Sequence, residues 1–253
     1  MKIRKEFKVE SAHIVRNCTS ERCSHSIHGH SAVIEVFLES DQLDNAQMVY
    51  DFGLMKGSIK QFIDSMDHCY LLCKYDDEEF KQFIKKTCDR WIELPFNPSA
   101  EMLSIFVMHY VSRILENTKK NNGERCPSCT GVRYHETTTG YAECNIWDTA
   151  RLWKDEWEDE IEFSKGVVKD WSRELTDFIE RGVYLKNPIV EQQIDLTGEK
   201  HVDAKEEECV VDNVSKGNNI FSDDTYSKML DELLESFYKT FKNSQEDDDD
   251  DED

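Results

Sequence analysis

Three histidines place the strongest constraint on this chain. His28, Gly29 and His30 open a run, residues 28–39, in which His28, His30, Ala32, Ile34, Val36 and Leu38 share one parity. Alternate residues of a β-strand lie on one face. Both imidazoles therefore emerge on the face the aliphatic residues bury, about 7 Å apart at two residue rises. Residues 2–13 alternate in the same way through Ile3, Phe7, Val9, Ser11 and His13, with Lys5 as the polar exception. If these two strands pair, His13 becomes a third imidazole beside the first two. Three protein ligands with a fourth position open is the donor set of a catalytic zinc rather than a structural one. The competing reading is a histidine ladder satisfied by hydrogen bonds. Two inward histidines on an apolar face, with a third at matching parity on a neighbouring strand, favour the metal.

Between the strands, residues 14–27 are polar and read as a loop. Met55, Ile59, Phe62, Ile63 and Met66 recur at helical spacing after Asp51-Phe52-Gly53, and Asp67-His68 closes that helix. A short helix is expected over 77–87 and an extended segment over 91–95. Asn97 and Pro98 read as a helix start. The next helix carries Met102, Phe106, Val107, Tyr110, Ile114 and Leu115 on its apolar face. Gly131 to Ile146 alternates again as a last strand or strand pair. Strands, two helices, then strands predicts an α+β fold, an antiparallel sheet with two helices on one face.

Charge divides the chain. Residues 1–147 hold 18 basic and 21 acidic side chains, and the remainder 13 and 32, so most of the net charge of −22 lies in the second part. This predicts a catalytic domain over 1–147 and an acidic extension over 148–244, mainly helical with a loop or disordered middle. An acidic disordered tail over 245–253 completes the chain. Leu152, Trp153, Trp157, Ile161, Val168, Trp171, Leu175 and Phe178 give residues 148–181 an amphipathic pattern, and Tyr226 to Phe241 reads as a second amphipathic helix. That apolar face needs a cover, which leaves room for an unknown partner. The net charge argues against general nucleic-acid binding. No run is apolar enough to span a membrane. Nine cysteines without an apolar leader point to a reducing, cytoplasmic setting, where thiols are ligands, nucleophiles or simply buried.

Further residues carry chemistry. Cys23 lies just before the histidine pair, and a thiol beside a bound cation is driven toward the thiolate; the bland alternative is an inert buried cysteine. Asp67-His68 sets a carboxylate beside an imidazole, or else is only a helix cap and turn. Glu136 shares the parity of Val132 and Tyr134, so its carboxylate needs a partner. It suits the paired donors of a guanidine-like edge, or a salt bridge. Glu101 sits in the first turn of the second helix, where the dipole alone accounts for an acid. Cys126-Pro-Ser-Cys129 has half the spacing of a zinc knuckle, and no second such pair completes it.

These motifs together resemble the 6-pyruvoyltetrahydropterin synthase and 6-carboxytetrahydropterin synthase family. The resemblance runs from residue 2 to about 146. It is carried by Phe7 and His13, by Cys23 before Ile27-His28-Gly29-His30, by Val49-Tyr50-Asp51-Phe52-Gly53-Leu54-Met55-Lys56, by Met66-Asp67-His68, by Asn97-Pro98-Ser99-Ala100-Glu101, and by His135-Glu136-Thr137. It implies a tunnelling fold whose sheets join between subunits into a barrel, as a trimer or hexamer with sites at subunit interfaces. It implies that His13, His28 and His30 hold Zn2+, and that Cys23, with Asp67 and His68, moves protons. Glu136, Thr137 and Glu101 are then the substrate-binding residues. The implied substrate is 7,8-dihydroneopterin triphosphate. The carboxy branch releases triphosphate and acetaldehyde on the route to 7-deazaguanines and queuosine; the pyruvoyl branch only eliminates triphosphate. Three departures stand out. Four residues separate Cys23 from His28, a spacing that decides neither branch. Cys18 offers a second thiol in the same loop. Ser99 stands where the family has threonine. A reading of another class makes the chain an inactive scaffold acting through its acidic extension, but such a scaffold has no need to keep His13, His28, His30, Cys23, Asp67, His68 and Glu136 together.

Overall fold

The computed structural model describes residues 1–192 together with Ile194 and Leu196. The alternating segments form the two long strands expected, β1 (Lys2–His13) and β2 (His28–Glu39). They pair antiparallel along their whole length, from Lys2 opposite Glu39 to His13 opposite His28. The last alternating segment is a hairpin, β5 (Ser128–His135) and β6 (Tyr141–Asn145), with β5 antiparallel to β2. This antiparallel four, β6-β5-β2-β1, is the predicted sheet.

The sheet does not stop there. Its full order is β6-β5-β2-β1-β3-β4-β7. Strands β3 (Cys69–Cys73) and β4 (Trp91–Leu94) join in parallel beyond β1, and β7 (Glu162–Phe163) closes that edge antiparallel to β4. Every residue of β3 and β4 is buried, so neither shows the half-polar alternation by which a strand is recognised. Parallel neighbours need crossovers. One is made by α2 (Ser58–Asp64), which comes after a 3-10 turn over Leu54–Lys56; the other by α3 (Glu78–Thr87). Asp77 caps α3 by accepting from the amides of Glu79 and Phe80, with glutamates in its first turn and lysines in its last.

The long helix α4 (Ala100–Glu116) packs on β5 and β6, and α2 packs on β1 and α4. The helix expected from Asn97-Pro98 begins later than predicted. Ser99 is the cap, accepting from the Met102 amide, while Pro98 stays outside the helix. The core on this face includes Phe7, Val9, Ile34, Val36, Phe62, Phe106 and Val132. On the opposite face α3 covers a small second cluster of Tyr70, Leu72, Ile84 and Trp91. The 14–27 loop contains one short helix, α1 (Glu21–His25).

Helix α5 (Ile146–Leu152) runs across position 147, and the described residues beyond it fold onto the same core. Trp153 stacks on His109 of α4, with ring centroids 4.0 Å apart and planes 14° from parallel. Glu158, on α6 (Trp157–Glu160), accepts from His109 Nε2 at 2.6 Å and also from Arg113. After β7, α7 (Lys165–Val168) buries Val167, and α8 (Arg173–Arg181) buries Leu175 and Phe178. Gly182 ends α8 at φ 64°, in the left-handed region that suits glycine. Of the apolar residues after position 147, Trp153, Val167, Leu175, Phe178 and Leu185 thus have their cover within the chain, while Leu152 stays exposed. The helix expected over Tyr226–Phe241 and the acidic run Glu246–Asp253 lie outside the described residues. No described helix is long and apolar enough to cross a membrane.

Candidate metal centre and catalytic groups

The register places His13 directly across from His28, while His30 lies opposite Ser11. The three rings converge, with centroids 4.6 Å apart for His13 and His28 and 5.2 Å for each other pair. One ligand atom from each comes within 4.8 Å of the other two, so the cluster can hold a metal ion. Gly29 makes this pairing possible: a Cβ there would meet the Ser11 carbonyl oxygen at 2.8 Å, closer than side-chain carbons approach.

Backbone carbonyls set the tautomers. His13 Nδ1 lies 2.8 Å from the Pro98 oxygen, and His28 Nδ1 lies 3.0 Å from the Ser26 oxygen. A carbonyl only accepts, so each Nδ1 carries the proton and each Nε2 presents its lone pair. The Nε2 atoms of His13 and His30 are buried without a hydrogen-bond partner. A buried unpartnered acceptor is costly, and two aimed at one point fit a cation. Burial, then the neighbouring His28, lowers His13 to about 4 against the opposing Pro98 bond, with His30 lowering it further. His13 is therefore a neutral donor at ordinary pH. The carbonyls of Pro98 and Ser26 left no mark in the sequence, because every residue carries one.

Other histidines and thiols stand apart. His135 Nε2 bonds Glu35 at 3.0 Å, and His25 bonds Ser24 at 2.8 Å. Cys129 and Cys144 are buried in the core, and that burial pushes their thiols up to about 12 and about 11.

Cys23 sits half-buried on α1. Its carbonyl accepts from the Val15 amide at 3.0 Å, which ties α1 to the end of β1 two residues past His13. Cys18 lies earlier in the loop, its thiol against the Ser20 carbonyl. Asp67 and His68 form a bonded pair, His68 Nδ1 to Asp67 Oδ2 at 2.9 Å. His68 has φ 51°, a conformation uncommon for a residue with a side chain, and its amide donates to Glu10 at 2.6 Å. Burial opposes the charge on Asp67, but the Glu10 amide, the His68 ring and Arg90 outweigh it and hold the carboxyl below its usual range. Among the described residues no hydrogen bond joins Cys23 to this pair.

Glu136 lies just past β5 on its inner face. One carboxylate oxygen lies 3.4 Å from His13 Nε2 and 3.6 Å from His30 Nε2. Thr137 is exposed, and its hydroxyl accepts from the Gly140 amide within the β5–β6 turn. Glu101 is exposed in the first turn of α4. Position by position, the structure gathers His13, His28, His30 and Glu136 in one place. It sets Cys23 on an adjoining turn and holds Asp67 and His68 across the β1–β3 pairing.

Comparison with known proteins adds identity to this geometry. The sequence profile described as 6-pyruvoyl tetrahydropterin synthase matches residues 2–146. A protein of Helicobacter pylori named 6-carboxy-5,6,7,8-tetrahydropterin synthase is 39% identical over 173 residues, which is 68% of this chain and 86% of that protein. That span is longer than the profile match, so part of the segment beyond Ile146 is shared with that relative. A protein of the same name from Aquifex aeolicus is 31% identical over 130 residues, 45% of this chain and 80% of that protein. Among solved structures, an uncharacterized protein from Wolinella succinogenes matches 58% of this chain and 98% of its own at 21% identity, with a TM-score of 0.47.

Proposed function

The chain belongs to the 6-pyruvoyl tetrahydropterin synthase family, and on that premise we propose that it is a zinc-dependent lyase. It converts 7,8-dihydroneopterin triphosphate to 6-carboxy-5,6,7,8-tetrahydropterin, with release of triphosphate and acetaldehyde. The observation that carries this reading is the histidine cluster, with two buried Nε2 atoms that have no hydrogen-bond partner among the described residues. Names of the relatives favour the carboxy branch.

His13, His28 and His30 hold the ion. When bound there, zinc supplies Lewis acidity to the hydroxyls of the substrate side chain. Glu136 receives the paired N–H donors of the pterin edge, with Thr137 beside it and Glu101 as a further substrate-binding group. Cys23 removes a proton from the side chain of the bound substrate. His68, oriented by Asp67, carries protons between positions on that side chain, as a carboxylate-backed imidazole does. That no hydrogen bond joins Cys23 to the Asp67–His68 pair among the described residues fits a site completed between subunits of a homo-oligomer, a trimer or hexamer. The setting we propose is cytoplasmic.

Incubation of the purified full chain with dihydroneopterin triphosphate tests the reading. Acetaldehyde together with a 6-carboxypterin product supports it. Triphosphate release without acetaldehyde selects the pyruvoyl reaction, for which the description of the matching family speaks. Absence of turnover in zinc-loaded protein rejects both.

A further inference from the structure

Arg90 links two parts of the chain that the sequence kept separate. It lies immediately before β4, and its guanidinium is largely enclosed. On one side Nε donates to the Asp67 carbonyl at 2.9 Å, and Nη2 donates to the carbonyls of Asp64 and Ser65 at 2.9 and 3.4 Å. Asp64 is the last residue of α2 and Ser65 its cap, so the guanidinium sits at the carbonyl end of that helix, a natural seat for a cation. On the other side Nη1 donates to the Gly166 carbonyl at 2.9 Å and to the Asp170 carboxylate.

The same two segments meet without Arg90. Trp171 Nε1 donates to Ser65 Oγ at 2.7 Å, and the Ser172 amide donates to Gln61 Oε1 at 2.9 Å. Gly166 is pressed against Asp89: an added Cβ would lie 2.1 Å from the Asp89 carbonyl oxygen. Asp67, His68, Arg90, Asp170 and Trp171 line one cleft. Asp67 and His68 are thus clamped between β1, through Glu10, and residues 164–172, through Arg90. A residue at φ 51° persists only where its surroundings over-determine it.

We propose that residues 164–172, which lie beyond the family domain, are a positioning element for the Asp67–His68 pair and act through Arg90. The planar fork of arginine fits this role because it bonds both segments at once. The proposal rests on the reading of that pair as a proton carrier. Small displacements of a proton-transfer group cost rate while leaving substrate affinity intact.

The full chain carrying Asp170→Asn with Trp171→Phe is the mild test, since it keeps Arg90 and the core. Gly166→Ala and Arg90→Met are the stronger ones. The expected result for the mild variant is a kcat reduced roughly tenfold or more, with KM within about twofold and zinc content unchanged. An unchanged kcat overturns the proposal, as does a loss that only tracks the fraction of folded protein. If the wild-type chain itself has no turnover, the functional reading fails separately. The His68 ring resonances then decide the proposal: identical NMR spectra in wild type and the mild variant overturn it, and displaced resonances sustain it.

Discussion

Glu136 places a carboxylate oxygen 3.4 Å from Nε2 of His13. The group proposed for the pterin ring and a proposed metal ligand are therefore neighbours, which would let one site read ring and side chain together. Glu136→Gln keeps the shape and removes the charge that pairs with the ring donors. Charge-assisted hydrogen bonds of this kind contribute about 1.5–3 kcal/mol. Titration with substrate or a pterin analogue should show affinity falling roughly 10- to 100-fold, with zinc retained. Unaltered affinity contradicts the assignment.

Gly29→Ala probes the strand pairing that brings the histidines together. Its Cβ would press on the Ser11 backbone, which cannot rotate away. The β1–β2 register around His13 and His28 has to shift. The expected outcome is a folded protein by circular dichroism with zinc affinity reduced at least about tenfold, since ligand geometry sets affinity. Wild-type affinity in this variant means the strands have room that the structure does not show.

Acid should loosen the docking of residues 153–158 on α4. Burial lowers the pKa of His109 despite the Glu158 bond, so the folded state keeps His109 neutral. Below about pH 6.5 the unfolded chain takes up a proton at this histidine that the folded chain refuses, and stability is lost as pH falls. Burial opposes ionisation of Glu158, but His109 and Arg113 outweigh it and hold its carboxyl low. Its contribution is present above about pH 4.3, the unfolded value, and fades on further acidification. Both act in one direction. Melting temperature should drop from pH 7 to pH 5, and His109→Gln should flatten the upper part of that slope. An identical slope in the variant assigns the effect elsewhere.

The alternation that marked β1 and β2 also placed all three clustered histidines, because strand parity decides which side chains face the core. Glu136 was legible for the same reason. Strand β3 was not, since burial of both faces erases the periodicity, whereas β4 falls within the extended segment read over 91–95. The acidic charge after residue 147 pointed to a separate extension. Yet Trp153, Val167, Leu175 and Phe178 belong to the shared core: charge there covers the outer surface of short elements and says nothing of their inner side. Nothing in the sequence singles out Arg90, because its contacts are to carbonyls that no residue type announces.

Trp153→Ala measures how much the core depends on the segment beyond residue 147. The ring is buried between Phe96, His109 and Tyr110. Removal of a core tryptophan costs about 3–5 kcal/mol, which corresponds to a melting temperature roughly 6–20 °C lower in a chain of this size. A shift under about 2 °C would show that this segment does not support the catalytic domain.

The central claim is that His13, His28 and His30 hold a catalytic zinc. Its most direct test is metal content and product formation, measured together in wild type and His28→Ala. Wild type should carry about one zinc per chain and form acetaldehyde and a 6-carboxypterin, and the folded variant should do neither. Wild-type protein that turns over at full rate after its metal is stripped, or a His28→Ala protein that keeps both zinc and activity, would contradict it.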